Sequence, residues 1–180
     1  MIYGKRVRLR HVEREDLSHF MEWLNDPDVR QGLSMYLPIS HAEEEKWFED
    51  ILSSSRDEQP LAIEVQTGGG WKLIGDCGFF HLDWRNRNAE LGIFIGDKTY
   101  WNQGYGTEVM RLLLRIGFTT LNLHRIYLRV YDNNPRAVRV YEKTGFVHEG
   151  RQRQAEFRDG RYLDLLLMSV LRPEWNEAEE

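Results

Sequence analysis

Gln103-Gly104-Tyr105-Gly106-Thr107 joins a predicted strand, residues 91–95, to a strongly apolar helix predicted over residues 104–120. Two glycines at this junction let backbone N–H groups approach a ligand closely. The N–H groups at a helix N-terminus lack intrahelical partners, and the summed peptide dipoles place about half a positive charge beside them. The stretch therefore predicts a diphosphate site. A glycine turn that merely begins a helix is the alternative interpretation.

Other phosphate-binding loops fit this stretch less well. The chain contains no G-x-x-x-x-G-K-[ST] sequence, which a P-loop requires. A dinucleotide-binding loop follows its strand directly and has a third glycine, whereas residues 96–102 intervene here and Val109 stands at the third position. Asp132 does lie roughly where a ribose-binding acid would be expected. The remaining candidate is the pyrophosphate of coenzyme A.

Four blocks within residues 87–146 resemble, in order, the GNAT superfamily of N-acetyltransferases. The blocks are Asn88-Ala89-Glu90-Leu91-Gly92-Ile93, the glycine stretch, Arg125-Ile126-Tyr127-Leu128-Arg129-Val130, and Asp132-Asn133-Asn134-Pro135-Arg136-Ala137 leading to Val140-Tyr141-Glu142-Lys143-Thr144-Gly145-Phe146. Near the N-terminus, Arg6-Val7-Arg8-Leu9-Arg10 with Glu15-Asp16-Leu17 is similar to the branch of ribosomal-protein N-terminal acetyltransferases and spermidine N-acetyltransferases. Trp101 departs from the superfamily pattern, which often has Gln or Arg three residues before the first glycine.

Periodicity and turn residues predict an α+β fold with the element order β-α-α-β-β-β-α-β-α-β-β. The predicted strands cover residues 6–11, 61–65, 72–82, 88–95, 125–131, 146–157 and 161–171, and the predicted helices begin near Glu15, Ser40, Gly104 and Pro135. We expect a mixed, mostly antiparallel sheet flanked by helices. The resemblance implies that the fourth and fifth strands, residues 88–95 and 125–131, run parallel and splay apart to admit coenzyme A.

Length and composition predict one domain. We assign residues 1–172 to a single acetyltransferase domain and residues 173–180 to an acidic C-terminal tail. No segment has the apolar length of a signal peptide or a membrane span, so we expect a cytoplasmic protein that binds no membrane. Cys77 is the only cysteine, which excludes an internal disulfide and predicts a small buried side chain in a strand. The net charge of −5 argues against nucleic acid and is compatible with a cationic substrate, and a homodimer stays an open alternative.

Amide formation from a thioester and an amine needs a neutral amine, a stabilised carbonyl oxygen and a proton for the departing thiolate. A lysine-like amine with a pKa of about 10.4 is charged at pH 7, so its deprotonation costs roughly 4–5 kcal/mol. Tyr141 is the candidate acid, because the resemblance places it at the family's tyrosine, although the residue pattern alone favours a core aromatic. Asn134 matches the family residue that binds coenzyme or an ordered water, and it is also a candidate helix cap.

Glu90 is the leading candidate for the base, since it begins an otherwise apolar strand and could relay a proton through water. An exposed glutamate beside Arg87 is an alternative interpretation of equal weight. His81 and Asp83, on the preceding strand, are the fallback candidates. The resemblance implies that a backbone N–H near Ile93 or Phe94 meets the oxyanion where the fourth strand bulges.

The resemblance implies acetyl-CoA as the acetyl donor. The chain has no metal-binding motif, so we expect no metal. The predicted coenzyme-binding residues are Ile93, Phe94, Ile95, Gln103, Gly104, Tyr105, Gly106, Thr107, Asn134, Arg136 and Lys143. We therefore expect an N-acetyltransferase in which a primary amine, of a peptide or of a polyamine such as spermidine, attacks the thioester directly. The acidic helix face over residues 43–50 either attracts a cation or, as we favour, is simply solvated. The alternatives are a non-catalytic acyl-CoA-binding or sensory module and, less favoured, a dinucleotide oxidoreductase.

Overall fold

The computed structural model describes residues 1–176 and arranges them around one eight-stranded sheet. Its strands are β1 (Ile2–Tyr3), β2 (Val7–His11), β3 (Leu61–Thr67), β4 (Gly70–Asp83), β5 (Asn88–Ile95), β6 (Arg125–Tyr131), β7 (Val147–Arg158) and β8 (Arg161–Leu171). They lie in the order β1-β2-β3-β4-β5-β6-β8-β7. Among these strands only β5 and β6 pair in parallel, so the predicted mixed, mostly antiparallel α+β sheet is confirmed.

Helices cover both faces of the sheet. The α-helices are α1 (Leu17–Leu24), α2 (Pro27–Arg30), α3 (His41–Ser53), α4 (Tyr105–Arg115) and α5 (Pro135–Lys143), and short 3-10 helices cover Arg14–Asp16, Lys98–Tyr100 and Arg172–Glu174. The helix predicted over residues 104–120 is α4 followed by a π-helical segment, Ile116–Thr120. Ser40 and Glu43 form the predicted capping box of α3. The sequence does not predict β1 or α2, since elements of two and four residues are too short to show a period.

Successive side chains of β5 point to opposite faces of the sheet. Leu91 and Ile93 pack in the main core with α4 and α5, and the predicted burial of Cys77 in this core is confirmed. Phe94 instead packs against α1, where its ring centroid lies 6.2 Å from that of Phe20. The helices α4 and α5 therefore cover one face, and α1 and α3 cover the other.

The strands β5 and β6 pair over a short distance and then part. The paired residues are Asn88 with Arg125, Ala89 with Ile126, and Glu90 with Tyr127. Beyond Glu90, β5 continues to pair with β4, while β6 continues to pair with β8. The predicted splay of these two strands is confirmed, and it opens a V-shaped gap in the sheet.

The C-terminal residues that follow β8 partly pack on the core. The Trp175 ring lies 5.4 Å from the Phe118 ring, centroid to centroid. Residues 177–180 of the predicted acidic tail lie outside the described residues. No helix within residues 1–176 is long and apolar enough to cross a membrane.

Candidate active site

A cleft of about 610 Å³ occupies the gap between β5 and β6. Most of the predicted coenzyme-binding residues line it: Ile93, Phe94, Ile95, Gly104, Tyr105, Gly106, Thr107, Asn134, Arg136 and Lys143. Gln103 does not line the cleft; it is exposed, and its amide donates to the carbonyl oxygen of Thr99 at 2.5 Å. The cleft thus brings the N-terminus of α4 together with the edge of β5 and one side of α5.

The two glycines at the start of α4 serve different purposes. Gly104 has a φ of 85°, in the left-handed region that favours glycine. Gly106 lies within the helix, and a Cβ atom there would lie 3.8 Å from Ile95 and 3.9 Å from Val140, which are ordinary contacts. Neither backbone conformation nor crowding requires glycine at position 106. Its bare backbone is therefore explained best by a ligand that approaches closely.

Trp101, the residue that departs from the superfamily pattern, supports an arginine at the cleft. The guanidinium carbon of Arg136 lies 3.6 Å from the centroid of the Trp101 ring. Burial lowers the pKa of Arg136, but an arginine still keeps its charge at neutral pH. Within residues 1–176 this guanidinium forms no ion pair, so it is available to an anion.

The backbone of β5 turns alternate residues toward the gap. Gly96 donates its N–H to a carbonyl oxygen of β4 at 2.8 Å, so Phe94, two residues earlier, also turns its N–H toward β4. The carbonyl oxygen of Ile95 points the other way and accepts from Trp101 Nε1 at 2.6 Å. Ile93 therefore turns its N–H toward the gap, where it could meet a carbonyl oxygen of a bound thioester.

The bulge that the resemblance implies at Ile93 or Phe94 is not found at either residue. The register between β4 and β5 is regular at both residues and shifts only between Phe80 and Asp83. There His81 adopts a φ of 53°, which marks the irregularity. Ordinary strand alternation, without a bulge, is enough to present the Ile93 N–H.

Tyr141 lies on α5 and lines the cleft. Its side chain is buried, and its ring lies 5.9 Å from the ring of Phe146, centroid to centroid. Burial raises the pKa of Tyr141 to about 12, so the phenol keeps its proton at neutral pH. Asn134 also combines two features, since it lines the cleft and caps α5 by accepting from the Ala137 N–H at 3.2 Å.

Glu90 lies where β5 and β6 part, and its side chain is 13% exposed. Arg129, across the gap on β6, donates Nε to Oε1 at 2.7 Å and Nη2 to Oε2 at 3.1 Å. The sequence pairs Glu90 with Arg87, whereas the structure pairs it with Arg129. Arg129 was therefore missed, because only the fold brings β6 beside β5.

The two fallback candidates for the base lie in different environments. His81 is exposed, and its Nε2 lies 3.8 Å from an oxygen of Glu90. Asp83 accepts hydrogen bonds from the Asn86 backbone N–H at 2.9 Å and side-chain amide at 2.7 Å, and these bonds lower its pKa. Asp83 lines neither the cleft nor the neighbouring cavity, so the structure does not bring it to the site.

A second cavity of about 780 Å³, which we call the acidic cavity, lies beneath α3 on the other face of the sheet. Its carboxylates are those of Glu43, Glu44, Asp50, Glu58 and Asp76. It joins the cleft, because both are lined by Leu33, Ser34, Asp76, Phe80 and Phe94. The cleft therefore carries charges of both signs, with its cations Arg136, Arg139 and Lys143 along α5, and it is continuous with the acidic cavity, which no Lys or Arg within residues 1–176 lines.

The interpretation of residues 43–50 as a simply solvated face is wrong in part. Glu43 and Asp50 are exposed, but Glu44 is only 5% exposed. The burial of Glu44 can be read from helical spacing, because Glu44 lies one turn before Trp47 and Phe48, which pack on the core of α1. Residues 30–33 include Leu33, which lines this cavity. Arg158 of β7 holds them in place by donating to the carbonyl oxygens of Arg30 and Leu33 at 2.6 and 2.5 Å.

A splayed sheet with a glycine-opened helix N-terminus at the gap defines a class of coenzyme A-dependent acyltransferases. The acetyltransferase (GNAT) domain family matches residues 6–147, and the chain belongs to this family. The predicted superfamily is confirmed. No group of His, Cys, Asp or Glu side chains within residues 1–176 could hold a metal ion.

The chain is similar to three relatives and one solved structure over nearly its whole length. The uncharacterized N-acetyltransferase p20 of Bacillus licheniformis is 30% identical over 97% of either chain. A spermidine N(1)-acetyltransferase of Vibrio cholerae is 29% identical over 98% of this chain and 99% of that protein. A crystal structure of spermidine N-acetyltransferase from that organism, with CoA and spermine, has a TM-score of 0.84 and 29% identity over 95% of this chain and 98% of the other. A putative ribosomal N-acetyltransferase of Bacillus subtilis is 25% identical over 96% of this chain and 94% of its own length. The chain is therefore an N-acetyltransferase that uses acetyl-CoA, as predicted.

Proposed function

We propose that this enzyme transfers the acetyl group of acetyl-CoA to a primary amine of a linear polyamine such as spermidine. The observation that carries this proposal is the acidic cavity, where five carboxylates share one largely apolar cavity that opens into the cleft. A polyamine carries protonated amines separated by methylene chains, so it suits carboxylates set among apolar walls. The similarity to a spermidine N(1)-acetyltransferase supports the same class of acceptor.

The distribution of charge also supports separate places for donor and acceptor. Arg136, Arg139 and Lys143 line the cleft along α5, whereas four carboxylates line the acidic cavity alone: Glu43, Glu44, Asp50 and Glu58. A polyanionic coenzyme and a polycationic acceptor are thus attracted to different sides of the sheet.

In the proposed donor complex, the pyrophosphate binds the backbone N–H groups of Tyr105, Gly106 and Thr107 at the N-terminus of α4. Arg136 and Lys143 supply nearby positive charge. The pantetheine arm then enters the gap between β5 and β6. There the Ile93 N–H donates to the thioester oxygen as negative charge develops on it.

The proposed reaction forms one N–C bond and breaks one C–S bond. The reacting ammonium first loses a proton to Glu90, through water, and the neutral amine attacks the thioester carbon. Tyr141 donates a hydrogen bond to the departing sulfur, which takes the proton released as the amide forms. Arg129 holds the Glu90 carboxylate in place across the gap during these steps.

An amine panel tests the acceptor by measuring the release of free CoA. We expect kcat/KM for spermidine to exceed that for a monoamine of equal carbon length by about tenfold or more, since further ammonium groups reach the carboxylates. Faster acetylation of a peptide α-amine than of spermidine would contradict the polyamine proposal and identify a peptide as the acceptor. Acetyl-CoA binding without turnover of any amine would favour the non-catalytic acyl-CoA-binding module instead.

We also propose that residues 1–172 act as one functional domain in the cytoplasm, as a homodimer that binds neither nucleic acid nor membranes. The exposed aromatic pair Phe157 and Tyr162, whose ring centroids lie 5.0 Å apart on the β7–β8 hairpin, supports self-association. The net charge of −5 argues against nucleic acid. Light scattering in solution tests the homodimer.

A further inference from the structure

Glu44 and Asp76 are carboxylates of the acidic cavity that lack a protein partner. Glu44, on α3, is 5% exposed, and Asp76, on β4, is partly buried and lines both the acidic cavity and the cleft. Within residues 1–176 neither carboxylate accepts a hydrogen bond or forms an ion pair. By contrast, the buried carboxylates of Asp16 and Glu64 are paired with arginines.

Removing a carboxylate from water without giving it a partner costs free energy, and the pKa values of both groups reflect this cost. Burial raises the pKa of Glu44 to about 7, and burial together with the charge of Glu44 raises the pKa of Asp76 to about 7. The other titratable groups that line the cavity are Glu43 and Asp50 on α3, Glu58 on the loop after α3, and His81 on β4. None of these is a permanent cation. Asp76 also faces the cleft, but within residues 1–176 none of the cleft cations forms an ion pair with either carboxylate: Arg129, Arg136, Arg139 and Lys143. The pair is therefore left for a positive charge from outside the protein.

We propose that Glu44 and Asp76 together bind one ammonium group of the acceptor at the junction of the acidic cavity and the cleft. This inference rests on the proposed function and names the residues that select a charged acceptor. The ammonium group held here is not the one that is acetylated, because two adjacent carboxylates stabilise its charged form and oppose its deprotonation. A second amine of the same molecule then reaches into the cleft toward Glu90.

Two isosteric variants test this pair. Glu44→Gln and Asp76→Asn each remove one charge while keeping the shape of the side chain. We expect the KM for spermidine, and its Kd from calorimetry, to rise about tenfold or more in each variant, with kcat and the KM for acetyl-CoA changing less than about twofold. Glu49→Gln is the matched control, since it removes the same charge from the exposed side of α3, where Glu49 pairs with Arg14.

The pH dependence separates a binding role from a merely structural one. The KM of the wild type for spermidine should fall as the pH is raised from 6 to 8, because the pair loses its protons, and this fall should be smaller in both variants. Each substitution should change kcat/KM for a monoamine much less than it changes kcat/KM for spermidine.

The failures of the two proposals are distinguishable. If the wild type acetylates spermidine but folded Glu44→Gln and Asp76→Asn keep its KM and Kd, this inference is overturned and the proposed function stands. If the wild type acetylates no polyamine and calorimetry detects no spermidine, both are overturned. Thermal unfolding shows whether each variant is folded. If one variant does not fold, the KM and Kd of the other variant decide whether the inference stands.

Discussion

Glu90 and Arg129 meet across the gap at the point where β5 and β6 stop pairing. Two hydrogen bonds fix the carboxylate, so the base that we propose would present a defined orientation to an ammonium group or water. The sequence identifies Glu90 because a charged residue begins an apolar strand. It does not identify Arg129 as the partner, because that contact depends on the parallel pairing of strands that lie far apart along the chain.

Glu90→Gln should lower the rate at neutral pH, with partial recovery as the pH approaches the pKa of the amine. The amide keeps the size of the side chain but cannot take a proton, and solvent deprotonates the amine at higher pH. The measurement is a pH–rate profile with a verified acceptor. Arg129→Gln is the control for loss of the ion pair alone. An unchanged profile for Glu90→Gln would exclude it as the base and direct attention to His81.

Tyr141→Phe should lower kcat on the order of 10²-fold while leaving the affinity for acetyl-CoA unchanged. Only the phenolic hydroxyl is lost, and the ring still packs beside Phe146. Single-turnover kinetics and calorimetry measure the two quantities separately. Equal single-turnover rates in wild type and variant would assign Tyr141 to the core alone.

At the scale of elements, the sequence predicts a helix start or a turn correctly where one short motif determines it. The capping box of Ser40 and Glu43 begins α3, and Asp159-Gly160 turns β7 into β8. The bulge in β4 carries no such signal, because His81 reaches its positive φ without being glycine. Its position is set by how β4 and β5 pair, which the sequence of either strand does not show.

The N-terminus of α4 offers a test in which stability and binding change in opposite directions. Gly106→Ala should stabilise the fold by up to about 1 kcal/mol, because alanine has the higher helix propensity and its Cβ fits. The same methyl group should raise the Kd for acetyl-CoA by about tenfold by obstructing close approach to the backbone. Thermal unfolding and calorimetry measure the two effects.

Gly104 is the less informative site for this test, because its φ of 85° makes any side chain strained. A Gly106→Ala protein that is more stable and binds acetyl-CoA as tightly as the wild type would contradict the proposed phosphate site. Weaker binding in a destabilised protein would point to a distorted helix instead.

At the scale of the whole molecule, the sequence predicts most of the residues that line the cleft, but it does not predict the acidic cavity. The residues predicted to bind the coenzyme come from three short segments, 93–95, 103–107 and 134–143, with recognisable glycines and a helix cap. The carboxylates of the acidic cavity come from α3, the following loop and β4, and each looks ordinary in its own segment. Only the packing of α3 on the sheet brings them together.

The unpartnered Glu44 should make the fold less stable as the pH rises. Its pKa is about 7 in the folded chain, above the ordinary 4.5, so the folded state holds the proton more tightly and stability falls between these two values. Glu44→Gln should therefore be more stable than the wild type at pH 8, by at most about 3 kcal/mol, and similar to it at pH 4. Urea unfolding at the two pH values measures the difference, and an equal difference at both would contradict the buried-charge account.

The gap between β5 and β6 has a further consequence for the order of events in turnover. The N-terminus of α4 and α5 lie on one face of the sheet, and the acidic cavity lies on the other. With the donor and acceptor sites proposed above, we expect the two substrates to enter from opposite faces of the sheet. We therefore expect the ternary complex to assemble in either order, which initial-rate and product-inhibition kinetics would test.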